Sequence, residues 1–175
     1  MKVTSSLILC AAMTASVTAL AQSSATVTGV PVSAQIFTPI TLALSNGGLV
    51  FGDVIASTTA SGSVALNPQT EARTATTVTL ATTHSANSAH FSVGGESGAA
   101  YAITLPASST LSDGASHNMT VDTFQASVAA GAPGATTGTL TGGAQTFNVG
   151  ATLHVSISQL AGTYTGTFDV SVAYN

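Results

Sequence analysis

The chain has 175 residues with only two Lys or Arg, six Asp or Glu, one Cys and no Trp, for a formal net charge of −4. So few cations exclude a basic footprint for nucleic acid or anionic lipid. A single cysteine excludes an internal disulfide framework, and the low charge with abundant Ser, Thr, Ala and Gly suits an exported bacterial surface or matrix protein better than an intracellular enzyme.

In chain order, Lys2 is followed by an apolar run from Leu7 to about Val17, and Ala19-Leu20-Ala21 is a small-x-small cleavage site. Residues 1–21 therefore read as a signal peptide, too short and too interrupted to span a bilayer. Cys10 leaves with it, and Leu9 stands where a lipoprotein signal requires a small residue. The mature chain then keeps one basic residue, Arg73, against six carboxylates.

Residues 22–32 form an N-terminal arm. Ala25, Val27 and Gly29 alternate with threonines, Val30-Pro31 interrupts, and Val32, Ala34 and Ile36 resume, which predicts two short strand-like pieces meeting near Gly29–Pro31. From residue 33 to 175 the pattern is one domain of strands. They are expected at Ile36–Leu44, Leu49–Ile55, Ser63–Leu66, Thr74–Thr82, His90–Val93, Tyr101–Leu105, Met119–Phe124, Thr137–Leu140, Gln145–Val149 and Thr152–Ser158. Gly, Pro and Asx clusters separate them, and no window carries a helical apolar period, so the fold is all-β, a sandwich or a barrel. Val78, Leu80, Phe91, Val93, Tyr101, Ile103, Leu105, Met119, Val121, Leu153, Val155 and Ile157 are the expected core. The chain closes on Gly162–Tyr174, where Tyr164, Phe168, Val170, Val172 and Tyr174 share one parity with Gly166 and the other parity is polar. That predicts a long half-buried strand.

Catalytic signals are sparse. Gly95-Glu-Ser-Gly-Ala99 misses the nucleophile elbow at its last position and lacks the strand-to-helix context. His84, His90, His117 and His154 are not spaced as metal ligands, His90 and His154 lie on the polar parity of their strands, and all four read as solvated surface residues. No pair of carboxylates is marked for glycosidase chemistry, and Tyr101, Tyr164 and Tyr174 suit packing better than a sugar platform. The expectation is no enzyme, no cofactor and no metal. Asn118-Met-Thr120 reads as a turn into a strand.

The closing stretch, with Gly162 fourteenth from the end, alternating apolar residues and a penultimate Tyr174, resembles the C-terminal signature of chaperone–usher pilin subunits, including the archaic group with spore-coat-protein-U-like domains. That resemblance implies an immunoglobulin-like β-sandwich lacking its last strand. Gly162, Tyr164, Phe168, Val170, Val172 and Tyr174 would form the acceptor strand that contacts a periplasmic chaperone. Ala25, Val27, Gly29, Val30 and Val32 would form a donor strand that completes the next subunit. The implied partners are sibling subunits or copies of this chain, a periplasmic chaperone and an outer-membrane usher. The implied location is the periplasm in transit, then a surface fibre for adhesion or biofilm. Two departures stand against it: the disulfide of the best-known pilins is missing, and Pro31 breaks the arm. The middle of the chain resembles a bacterial exported domain family of unknown function, through Pro39-Ile40, Leu49-Val-Phe-Gly52, Phe91-Ser-Val-Gly94, Ile103-Thr-Leu-Pro106, Val149-Gly-Ala-Thr-Leu153 and Gly162-Thr-Tyr-Thr-Gly166. A monomeric secreted binding module with a self-contained sandwich, for polysaccharide or a protein partner, stays open as the alternative.

Overall fold

A computed structural model describes residues 24–175, so the expected signal peptide lies outside the described residues. The chain divides into two units at Gln35/Ile36. In the first, residues 24–35 are exposed and form neither of the two expected strand pieces. Val27, Val30 and Val32 are 82%, 63% and 93% exposed. A short alternating segment gains no ladder hydrogen bonds without a sheet edge beside it, and Pro31 removes one donor.

The second unit is the expected all-β sandwich of curled antiparallel sheets. Its strands are β1 (Thr41–Leu44), β2 (Val54–Ile55), β3 (Gly62–Leu66), β4 (Arg73–Thr76), β5 (Thr79–Leu80), β6 (Ala89–Gly94), β7 (Ala100–Thr104), β8 (Ser108–Ser112), β9 (Asn118–Val128), β10 (Thr137–Thr139), β11 (Ala144–Val155) and β12 (Ser171–Tyr174). The long β11 is the spine. β9 pairs along one of its edges, while β6 and then β3 pair along the other. Phe147 thus sits between Phe91 and Val128, and Leu153 between Val64 and Val121. β1 extends the sheet beyond β6, β4 beyond β3 and β8 beyond β9. The second sheet runs β10-β7-β12, and β2 pairs with β5.

Two apolar clusters follow. The first joins Phe91, Val93, Phe147 and Val149 of the large sheet to Tyr101 and Ile103 of β7 and to Leu140, with the Phe91 and Phe147 rings stacked at 5.1 Å. The second gathers Phe51, Val64, Leu66, Val121, Leu153 and Val155, with Val54, Val78 and Leu80 packed against it.

Several expected strand limits are corrected. Ile36–Leu44 shrinks to β1, leaving Pro39 outside, and Leu49–Ile55 shrinks to β2 with an isolated bridge at Val50. Thr74–Thr82 breaks at Thr77 (φ 66), because β4 pairs with β3 whereas β5 pairs with β2. Gln145–Val149 and Thr152–Ser158 fuse into β11, which stops at Val155, so Ile157 is 49% exposed instead of in the core. Gly150 joins the halves where Leu66 and Pro68 leave no room for a side chain. β9 outruns Met119–Phe124 through a bulge. Between its pairings with Gly150 and Thr152 of β11 it spends one extra residue, and Thr123 takes φ 51. The inward set therefore changes parity, from Met119 and Val121 to Phe124, Ala126 and Val128. β8 was not expected, since SSTLS carries one apolar residue.

Candidate functional site

The closing stretch keeps the expected alternation but not the expected strand. Tyr164, Phe168, Val170, Val172 and Tyr174 are half-buried while their neighbours are exposed, yet only Ser171–Tyr174 forms a strand. The run lies antiparallel along β8 and β7, with backbone pairing at its two ends and the Ser109 hydroxyl donating to the Thr167 carbonyl at 2.6 Å between them. Thr165 and Ser112 exchange both backbone bonds at 2.9 Å, and β12 pairs with β7 from Thr104 to Tyr101. Between them Gly166 presses against the Thr110 carbonyl, where no side chain fits.

This arrangement splits the six proposed acceptor residues. Phe168, Val170, Val172 and Tyr174 pack on the first core cluster, and Phe168 lies 4.9 Å from the Phe124 ring. Gly162 is exposed, and Tyr164 turns to a local loop: its hydroxyl donates to the Leu160 carbonyl at 3.0 Å and accepts from Gln159 at 2.9 Å. The proposed donor residues Ala25, Val27, Gly29, Val30 and Val32 lie exposed in the first unit, in no strand, with Gly29 at φ 74.

One edge of β12 has no partner among the described residues. The Asn175 N–H donates to the Ala100 carbonyl at 3.2 Å. The two-residue alternation of an antiparallel ladder then turns the backbone groups of Ala173 and Ser171 toward β7 and those of Tyr174 and Val172 away from it. Such groups are obligatory hydrogen-bonding partners, met here by solvent or by another strand. β1, the edge strand of the large sheet, comes within 8 Å of β12 at Cα without pairing to it.

Tyr174 also closes a polar ring that the sequence did not reveal. Its hydroxyl donates to the Thr38 carbonyl at 2.6 Å and accepts from the Glu96 N–H at 2.7 Å. The Glu96 carboxylate accepts from the Thr38 N–H at 3.0 Å and from the Thr38 hydroxyl at 2.9 Å, which holds its carboxyl below the usual range. Phe37 stands edge-on to the Tyr174 ring at 5.7 Å.

The histidines stay on the surface as expected, with side chains 40–75% exposed. Each is hydrogen-bonded to a carboxylate: His84 to Asp53 at 2.8 Å, His90 to Glu71 at 2.7 Å, His117 to Asp113 at 2.6 Å and His154 to Asp122 at 2.9 Å. The histidine hydrogen bond is the main reason all four carboxyls sit below their ordinary values. Apart from His117–Asp113, these are long-range pairs that no local spacing announces. Ser88 is fully buried and donates to Glu71 Oε1 at 3.1 Å, beside His90. This is not the geometry of a nucleophilic triad. A relay needs the acid on one ring nitrogen and the serine on the other, whereas His90 Nε2 faces both. The cluster instead ties the β3–β4 turn to β6. Among the described residues, no group of three or more His, Cys, Asp or Glu is placed to hold a metal ion.

The family model described as Domain of unknown function (DUF4402) matches residues 40–174. The chain belongs to this family. The match begins one residue before β1 and ends on the last residue of β12, so the family spans the folded unit and includes the open edge. It agrees with the resemblance of the middle of the chain to a domain family of unknown function. No curated protein matches the chain.

Proposed function

We propose that the protein is an exported structural subunit of a surface fibre or pilus, assembling by donor-strand exchange, with a role in adhesion or biofilm. The observation that carries this reading is the edge of β12 that is unpaired among the described residues, backed by the half-buried stripe Phe168, Val170, Val172 and Tyr174. A strand added there gains main-chain hydrogen bonds for its affinity and side-chain pockets for its specificity. The occupant is the arm of another copy or of a sibling subunit, with Ala25, Val27, Val30 and Val32 entering and Gly29 as the small residue at a shallow position. Burying four such side chains yields on the order of 4–8 kcal/mol before ordering costs. A periplasmic chaperone would hold the same edge during export and an outer-membrane usher would receive the subunit. The reading assigns no catalysis and no cofactor.

A second reading, a monomeric secreted binding module, draws on a shallow cleft of about 160 Å³ lined by Asn67, Thr74, Thr123, Gln125 and Thr152, whose amides and hydroxyls suit a sugar. One experiment separates the two. Mature protein purified from a periplasm, with and without residues 22–32, is run unboiled on a denaturing gel and viewed by negative stain. The fibre reading expects a ladder or fibres that vanish with the arm. A sharp monomer in both forms would overturn it and leave the module.

A further inference from the structure

The open side of the sandwich is bounded by the edge strand of each sheet, β1 and β12, and both run into the same polar ring. Thr38 lies three residues before β1, Tyr174 is the last residue of β12, and Glu96 sits in the turn joining β6 of the large sheet to β7 of the other. Each of the three bonds to the other two, through four hydrogen bonds of 2.6–3.0 Å. Two further contacts seat the ring. Phe37 packs perpendicular to the Tyr174 ring, and Gly95 is pressed so closely on the Tyr174 hydroxyl that any side chain there would collide with it.

The spacing gives this ring a consequence. A strand laid beside β12 takes up about 4.8 Å, and one flanked by strands on both sides holds them about 9.6 Å apart. β1 already comes within 8 Å of β12 at Cα. The lead-in to β1 is thus tied to the end of β12 by a few hydrogen bonds, and the nearest Cα atoms of the two strands stand closer than the span an intervening strand needs. We propose that Thr38, Glu96 and Tyr174 form a latch that keeps this edge closed in the lone chain and opens when a strand is taken up. The opening half of the proposal rests on the donor-strand reading; the closure of the latch does not. Tyr174 is then a positioning residue, held within its own domain until the edge is filled.

The test uses the mature chain and three variants. Tyr174→Phe keeps the ring and removes both hydroxyl bonds, Glu96→Ala removes the carboxylate acceptor, and Thr38→Val removes one hydroxyl donor, so that one variant that fails to fold does not stop the test. Amide hydrogen exchange at Thr38 and Glu96 reads the latch, and uptake of a labelled synthetic peptide of residues 24–35 reads the edge. We expect exchange about tenfold faster at Glu96 in Tyr174→Phe and at Thr38 in Glu96→Ala, the effect of losing about one net hydrogen bond. We also expect faster peptide uptake than by the parent chain, with the thermal midpoint nearly unchanged. Unchanged exchange in the folded variants overturns the latch, whatever the peptide does. Faster exchange with no peptide bound by any form, parent included, overturns the donor-strand reading and leaves the latch as a closure of the free domain.

Discussion

At the residue scale, Arg73 shows how a sparsely charged chain uses a single cation. Its guanidinium donates to the Phe51, Asp53 and Ala81 carbonyls at 2.9, 3.0 and 2.7 Å, tying β4 to the ends of β2 and β5. Arg73→Met keeps the aliphatic stem but leaves three part-buried carbonyls without their donor. We expect a loss of about 2–4 kcal/mol, read as a lower urea midpoint. Trypsin supplies a second measure, because Arg73 is the only Lys or Arg after residue 2. Cleavage at that bond should track unfolding. The four His–carboxylate pairs set a pH dependence. Asp53, Glu71, Asp113 and Asp122 have folded values below their unfolded ones, so the stability they contribute is present above the ordinary carboxylate range and lost as pH falls through the lowered folded values. The urea midpoint should decline below about pH 4. Replacing the four carboxylates by amides should flatten that decline. An equally steep fall in the amide variant would show that the pairs do not carry it.

At the element scale, the β9 bulge decides which face of the strand reaches the core. Deleting Thr123 removes the extra residue and turns Phe124, Ala126 and Val128 outward relative to Val121. The deletion should fail to fold, seen as loss of the near-ultraviolet tyrosine signal and of a cooperative melt. A variant that melts normally would show that the register slips elsewhere to compensate. Gly150 makes the matching case in β11. Gly150→Val would drive a side chain into the Leu66 carbonyl and the Pro68 ring and should cost about 2–4 kcal/mol. These two sites also explain which strands were legible. β3, β6 and β7 follow strict alternation and stand within a residue of their expected limits. The expected limits of β9 and β11 are short because alternation stops at a bulge and at a glycine, although the pairing continues through both. β8 was invisible because one face of SSTLS carries only small polar residues and its place is set by β9.

At the scale of the whole molecule, the first unit and the folded unit answer to different constraints. Residues 24–35 contribute no strand and no core residue, so a chain lacking residues 22–32 should melt within a few degrees of the parent. A drop of ten degrees or more would show that the arm completes its own domain and would favour the self-contained module. The same deletion abolishes assembly under the fibre reading, which separates the arm's contribution to stability from its contribution to polymerisation.

What the sequence determined by itself is what depends on near neighbours along the chain. The all-β class, the alternating stripe from Tyr164 to Tyr174 and most of the core list follow from side chains pointing to opposite faces at every second residue, and the turn positions follow from Gly, Pro and Asx clusters. The remaining features join residues far apart in sequence and come from the folded arrangement alone. The Thr38–Glu96–Tyr174 ring spans 136 residues, and the His90–Glu71 and His154–Asp122 pairs join separate strands. The open edge of β12 belongs to the same class. A strand's alternation shows which face is buried, but whether its backbone edge is paired is settled by the strand that lies beside it.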